Sequence, residues 1–194
     1  LGLARSKGIP LYREKARVLD RLTKGANHQG IVAEMVSIPL WSLEEILATT
    51  PIPALLIALD RIEDPRNFGS VARTADSAGV HGIVIPKRRS APPSDVAVSA
   101  SAGALLHTRL ARVTNLTAGL QKVKERNIWV VGLTPDAPTQ WFEFDYKVRF
   151  LFALGSEGRG LGRRVADTCD QLVSLPQVGR VESLNVSVAA GIVL

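Results

Sequence analysis

The chain has 194 residues, 46% of them hydrophobic and 22% charged, a composition that suits one well-filled core and excludes an intrinsically disordered protein. Its 24 Lys and Arg against 18 Asp and Glu give a net charge of +6, which points to a polyanionic partner, nucleic acid first, because basic side chains gain by neutralising phosphates and releasing counterions. One cysteine, Cys169, excludes an internal disulfide framework and a Cys-based metal cluster and suits a reducing, cytoplasmic compartment, and no apolar run reaches the ~20 residues that a membrane span needs.

The elements are expected in the following order. Residues 1–36 read as a charged helix in "YREKARVLDRLT", a turn at Gly25-Ala26-Asn27 and an apolar strand in "GIVAEMV", too little to bury a core of its own. They are expected to be the end of a small domain, and the start at Leu1 and the stop on "AAGIVL" imply trimmed ends. Residues 37–53, with Pro39, Pro51 and Pro53 around "LWSLEEILA", suit a linker with one short helix.

From residue 54 the pattern alternates. Strands are expected at 54–60, 82–86, 108–113, 128–134, 148–155 and 171–176, and helices at 67–80, 94–107, 115–127 with Asn115 as cap, 162–169 and 183–194. Short apolar strands between helices imply a parallel sheet covered on both faces, an α/β fold.

"LGSEGRGL" (154–161) follows an apolar strand and has the glycines of a phosphate loop. It lacks the Lys and Ser/Thr of a Walker loop, and Gly155, Gly158 and Gly160 give GxxGxG rather than GxGxxG. A carboxylate at Glu157 would also repel a pyrophosphate held on the loop's N–H groups. Two readings stay open: a strand-to-helix turn, or a loop whose glycines let the backbone approach an uncharged or cationic ligand such as an adenosine carrying a sulfonium. Arg61, Arg66, Asn67 and Arg73 cluster around a second strand-to-helix turn, where Asn67 could simply cap the helix. Ser183 could likewise cap the last one. His28, His81 and His107 lack metal-ligand spacing, so structural or surface roles and no metal are expected. Cys169, in a polar stretch without a nearby His, reads as structural.

Asn67-x-Gly69-x-x-x-Arg73, Leu154-Gly155-x-Glu157-x-x-Gly160, and Leu175-Pro176 followed by Ser183-Leu184-Asn185-Val186-Ser187-x-Ala189 resemble, in order and spacing, the three motifs of the SpoU-type RNA 2′-O-methyltransferases of the SPOUT superfamily. "NHQGIVAEM" (27–35) extends the resemblance into the ribosomal-L30e-like substrate domain of one branch. "AGVHGIVIPKRRS" and "VTNLTAGLQKVKERNIWVVGL" are most similar to the bacterial enzymes that methylate a guanosine of 23S ribosomal RNA. Gln177-Val178 departs from their usual pair.

The resemblance implies a parallel α/β domain over 54–194 with a deep trefoil knot in about 130–194, following an L30e-like remnant over 1–36 and a linker over 37–53. It implies S-adenosylmethionine as methyl donor, held by Gly132, Leu133, Thr134, Gly155, Gly160, Leu175, Pro176 and Leu184. Catalytic roles fall to Asn67, Arg73, Glu157, Ser183 and Asn185; the family would nominate Arg73 for the hydroxyl, often as its base, but a guanidinium is a poor proton acceptor, so an electrostatic stabiliser or phosphate clamp is preferred and the base stays open. Arg66, Lys87, Arg88 and Arg89 would meet RNA, and the molecule would be a homodimer without a membrane partner. The expected activity is 2′-O-methylation of a 23S ribosomal guanosine. Competing expectations are methylation of transfer RNA or of another ribosomal site, as in antibiotic-resistance members, a non-catalytic RNA-binding assembly protein, and a dehydrogenase.

Overall fold

A computed structural model describes residues 2–34, 37–180 and 183–194. The chain divides into two compact units, Leu1–Ser37 and Ile38–Leu194.

The first unit contains helices α1 (Gly2–Ser6) and α2 (Ala16–Leu22), neither with a buried residue. The strand expected at 30–36 does not form over residues 30–34, and Met35 and Val36 lie outside the described residues. A strand exists through pairing with a neighbour, and residues 2–34 contain no other strand for it to join.

The second unit is built on β1 (Leu40–Trp41), β2 (Leu55–Asp60), β3 (Ile83–Pro86), β4 (Leu110–Val113), β5 (Trp129–Leu133), β6 (Thr139–Gln140), β7 (Phe150–Gly155) and β8 (Gln171–Ser174). They form one sheet in the order β1-β4-β3-β2-β7-β5-β8-β6, with every pairing parallel. Its helices are α3 (Leu43–Thr49), α4 (Pro65–Ser77), α5 (Asp95–Ala100), α6 (Leu116–Lys124), α7 (Arg163–Ala166) and α8 (Val186–Val193). Side chains of a strand alternate between faces, and here both faces are buried. Ile57, Leu59, Phe152 and Leu154 join the core under α4, α5 and α8, whereas Leu56, Ala58, Leu151 and Ala153 join the one under α3, α6 and α7. Near-continuous apolar runs are what such doubly covered strands require.

The segment read as a linker is part of this unit. β1 pairs with β4 at the sheet edge, and α3 buries Leu43, Ile46 and Leu47 behind a capping box in which Ser42 Oγ accepts from Glu45 N–H at 3.1 Å. The helix expected over 94–107 stops at Ala100, since Ala102 and Gly103 take left-handed backbone (φ +50° and +90°), and a 3-10 turn follows at Ala104–Leu106. Asn67 is not the cap of α4: Asp64 Oδ1 accepts from Arg66 N–H at 2.7 Å and Pro65 fills the first helical position. Ser183 does not cap α8 either, for Asn185 Oδ1 accepts from Ser187 N–H at 2.9 Å. Those departures free Asn67 and Ser183 from structural duty. Among the described residues no helix is long and apolar enough to cross a membrane.

Candidate active site

Because β7 lies between β2 and β5, with β8 beyond, the loops following β5, β7 and β8 leave the sheet side by side at its carboxyl end, where open α/β sheets bind ligands. With the segment entering α8 they enclose a cavity of about 440 Å³. Leu133, Leu154, Leu175, Leu184, Val186 and Ala189 give it apolar walls, and the glycine loop supplies backbone groups. That loop closes on itself: Gly160 N–H donates to Ser156 O at 2.8 Å, and Gly158 and Gly160 adopt φ +72° and +59°, which only glycine takes without strain.

Glu157 stands at the mouth of this cavity and its Oε1 is the meeting point of three donors. Asn67 Nδ2 reaches it at 3.0 Å, Asn185 Nδ2 at 2.6 Å and Val186 N–H at 3.3 Å. Asn185 Nδ2 also donates to Asn67 Oδ1 at 3.0 Å, closing a triangle. Ser187 N–H and Oγ hold Asn185 Oδ1 at 2.9 and 2.6 Å, so both amides have a single orientation consistent with their partners. The second carboxylate oxygen of Glu157 has no partner among the described residues. An acceptor with a fixed position and one open lone-pair face can orient a ligand's hydroxyl or lie beside a cation.

Beyond Glu157 a second cavity of about 500 Å³ is lined by Arg61, Glu63, Asp64, Asn67, Arg89 and Arg159, and it shares Ser156, Glu157 and Val186 with the first. Ala91 N–H donates to Ile62 O at 2.7 Å, which brings the loop carrying Arg89 against the turn into α4.

The two strand ends are locked together by a pair that the sequence reading passed over. Asp60, only 6% exposed, accepts from Gly162 N–H at 2.7 Å and pairs with Arg61 Nε at 3.2 Å through one oxygen. Arg61 Nη2 donates in turn to Gly160 O at 3.2 Å, from a left-handed backbone (φ +59°) that costs a non-glycine residue about 1 kcal/mol. The signal was present as an Asp-Arg pair at the carboxyl end of a buried strand, but its partner lies 102 residues away. Asp60→Ala should leave the part-buried Gly162 N–H without its acceptor and Arg61 held only by Gly160 O, lowering stability by about 2 kcal/mol and loosening the glycine loop. A urea titration alongside cofactor titration checks both, and unchanged values for the two would remove Asp60 from this role.

Of the residues expected to hold a cofactor, Leu133, Thr134, Gly155, Gly160, Leu175 and Leu184 line the first cavity. Gly132 is not among its walls, and a Cβ there would come within 2.7 Å of Cys169 Sγ and Leu172 Cδ2. Pro176 lines an adjoining hollow with Asp136, Gln140 and Arg180, and Val181 and Glu182 of the same loop lie outside the described residues. Asn67, Glu157 and Asn185 are brought together, and Ser183 lines the first cavity. Arg73 is exposed on α4, six residues and therefore about 120° around the helix from Asn67, and lines neither cavity. Arg89 lines the second cavity, while Arg66, Lys87 and Arg88 are exposed outside both. Burial, with the Asp170 carboxylate adding to it, pushes the Cys169 thiol up to about 12, and the thiol donates to Val165 O at 3.3 Å. A thiol so held is a packing group rather than a nucleophile.

Similarity to known proteins follows the same architecture. The chain is 44% identical to an uncharacterized tRNA/rRNA methyltransferase of Mycobacterium marinum over 98% of its own length and 62% of that protein's. It is 39% identical to the 23S rRNA (guanosine-2′-O-)-methyltransferase RlmB of Pseudomonas putida over 100% of its own length and 79% of that protein's. The crystal structure of the SpoU methyltransferase AviRb from Streptomyces viridochromogenes in complex with AdoMet superposes with a TM-score of 0.73 at 29% identity, covering 80% of this chain and 62% of that one. The chain thus spans less than two thirds of two of these three proteins. Residues 1–39 match the profile for RNA 2′-O ribose methyltransferase substrate binding. Since the profile of the SpoU rRNA Methylase family matches residues 54–194, the stretch that holds the sheet strands β2–β8 and every wall of both cavities, the chain belongs to the SpoU rRNA methylase family.

Proposed function

We propose that the protein transfers the methyl group of S-adenosylmethionine to a ribose 2′-hydroxyl of RNA, a guanosine of 23S ribosomal RNA, as a cytoplasmic homodimer. The observation that carries this reading is the Asn67–Glu157–Asn185 triangle, standing on the wall between an apolar cavity and an arginine-lined one. The residues present fit the cofactor: leucines and loop backbone suit an uncharged adenosine, and a carboxylate at the mouth suits a sulfonium and disfavours a phosphate. S-adenosylmethionine would supply a methyl group already activated on sulfur.

The protein's own task is then alignment, which alone can contribute several kcal/mol to lowering a barrier. Leu133, Thr134, Gly155, Gly160, Leu175 and Leu184 would hold the cofactor, with Gly132 and Pro176 supporting them from behind. Asn67, Asn185 and Ser183 would orient the ribose, and Glu157 would fix both amides. Arg73 would act across the dimer, stabilising the developing alkoxide or clamping a phosphate. Its helix packs on α8, whose Val188 and Ile192 are 51% and 40% exposed and offer a symmetric apolar contact. Arg66, Lys87, Arg88 and Arg89 would meet the RNA backbone. Family membership further supports a deep trefoil knot within about 130–194, and the substrate-binding match over 1–39 supports an L30e-like domain ending near residue 36.

The test is transfer of labelled methyl from S-adenosylmethionine to ribosomal RNA lacking its own modification, by the full-length protein, followed by nuclease mapping. Label in one 2′-O-methylguanosine of the large-subunit RNA is expected. Label in transfer RNA would move the substrate, and cofactor binding without label in any RNA would favour an assembly protein. Arg73→Ala should leave cofactor affinity within about twofold while lowering turnover roughly 100-fold. A matching fall in affinity would assign Arg73 to cofactor binding instead.

A further inference from the structure

The second cavity has a charge pattern that a simple RNA-backbone site does not need: Arg61, Arg89 and Arg159 face Glu63, Asp64 and Glu157. Most of these groups are already committed. Asp64 caps α4, Glu157 Oε1 holds the amide triangle, and Arg61 is tied to Asp60 and Gly160 O. Arg89, Arg159 and Glu63 are exposed, and no side-chain hydrogen bond or ion pair joins any of them to another described residue. Arg89 is held in left-handed backbone, φ +55°, as is Arg61 at +59°. The cavity thus presents two free cations, one free carboxylate and a wall shared with the proposed methyl-donor site. Its volume of about 500 Å³ is within the range of small-molecule sites.

Resting on the methyltransferase reading above, we propose that this cavity seats the target nucleotide, with Arg89 and Arg159 on its phosphate and Glu63 as the residue that selects guanine. An ionised carboxylate only accepts hydrogen bonds, and through two oxygens. Among the four RNA bases, guanine alone offers two adjacent donors, N1–H and N2–H, on its Watson–Crick edge. Adenine and cytosine put an acceptor beside their amino group, and uracil flanks its N3–H with two carbonyls. A nucleotide drawn out of its stack is read on that edge, and a site built to accept a donor rejects an analogue that lacks it far better than an apolar pocket rejects a misfit. Glu63 stands one residue before the cap of α4 and four before Asn67. Base and ribose would therefore be read from the same turn.

The experiment measures kcat/KM for methyl transfer by the full-length protein and by Glu63→Ala, on an RNA fragment spanning the methylated position with either guanosine or inosine there. Inosine removes the N2 amino group alone. The wild type should prefer guanosine by roughly tenfold or more, the value of a hydrogen bond to a charged group, and Glu63→Ala should lose guanosine activity until its preference falls below about threefold. Equal preference in both proteins would overturn the assignment of Glu63, as would a loss of activity in Glu63→Ala that is the same for both RNAs. Failure of the wild type to methylate the guanosine RNA while still binding S-adenosylmethionine would overturn the ribosomal guanosine as substrate, and this proposal with it. Glu63 is exposed and its side chain makes no hydrogen bond to another described residue, so unchanged thermal stability and cofactor affinity serve as the folding control.

Discussion

Glu157→Ala should lower kcat/KM for methyl transfer by roughly 100-fold or more, at a cost in global stability of less than about 1 kcal/mol. The two numbers separate because of where the carboxylate sits. Three N–H groups converge on Oε1, yet Glu157 is exposed, so water can take its place in the folded state and little free energy of folding is lost. Water cannot keep the side chains of Asn67 and Asn185, which come from helix α4 and the entry to α8, in one geometry. A displacement near 1 Å at a positioning group is enough for a 100-fold loss in rate. Glu157→Gln separates charge from geometry: its carbonyl oxygen can accept the same three bonds, while its amide nitrogen replaces the open oxygen. Recovery of most of the activity in Glu157→Gln would make Glu157 a spacer for the two amides. Activity as low as in Glu157→Ala would instead assign the effect to the negative charge beside the reacting centre. Single-turnover rates at saturating cofactor, with Kd for S-adenosylmethionine measured separately, distinguish the two, and full activity in Glu157→Ala would sink both.

What the sequence made legible and what it hid divide along physical lines. The parallel sheet could be read because strands covered on both faces must be apolar almost throughout, as "ALLIALD" and "FLFALG" are. The three loops of the first cavity were implied by the resemblance, and they come together because parallel strands deliver their carboxyl ends to one side. Local hydrogen-bond chemistry was harder. Asn67 and Ser183 both have the composition of a cap, and only the backbone reveals that Asp64 and Asn185 do that work. The partner of each was beyond the reach of residue patterns: Asn67 meets Glu157 across 90 residues and Asn185 across 118, and Asp60 meets Gly162 across 102. Asn67 and Glu157 were singled out by the turns they stand in, but the grouping of Asn67, Glu157 and Asn185 in one site came only from the resemblance of their motifs, and Asp60 was passed over. The strand expected near residue 30 failed for the converse reason, since an apolar run becomes a strand only when an edge is there to pair with it.

The glycine loop carries the other large effect. Gly155→Ala should abolish measurable S-adenosylmethionine binding, a fall of at least about 100-fold, and lower stability by about 2–3 kcal/mol. A Cβ on Gly155 would lie 2.0 Å from Gly160 C, 2.2 Å from Gly160 O and 2.2 Å from Leu161 N. These are backbone atoms, so no rotamer change can relieve the overlap. The chain from Ser156 to Gly160 would have to open, breaking the bond from Gly160 N–H to Ser156 O and the one from Arg61 to Gly160 O. Glu157 lies inside that closed turn, and its distances to Asn67 and Asn185 depend on it. Gly158→Ala is the matched control, because a Cβ there meets nothing within 4 Å and pays only for its left-handed φ of +72°, about 1–2 kcal/mol. Isothermal titration with S-adenosylmethionine and thermal melts of both variants give the comparison. If Gly155→Ala binds the cofactor as Gly158→Ala does, the turn can reopen without harm and its closure is not what shapes the site. If only Gly155→Ala loses binding, then the same backbone contact that rejects the Cβ holds the cavity floor and Glu157 in place together, and cofactor affinity and catalytic geometry are coupled through one turn.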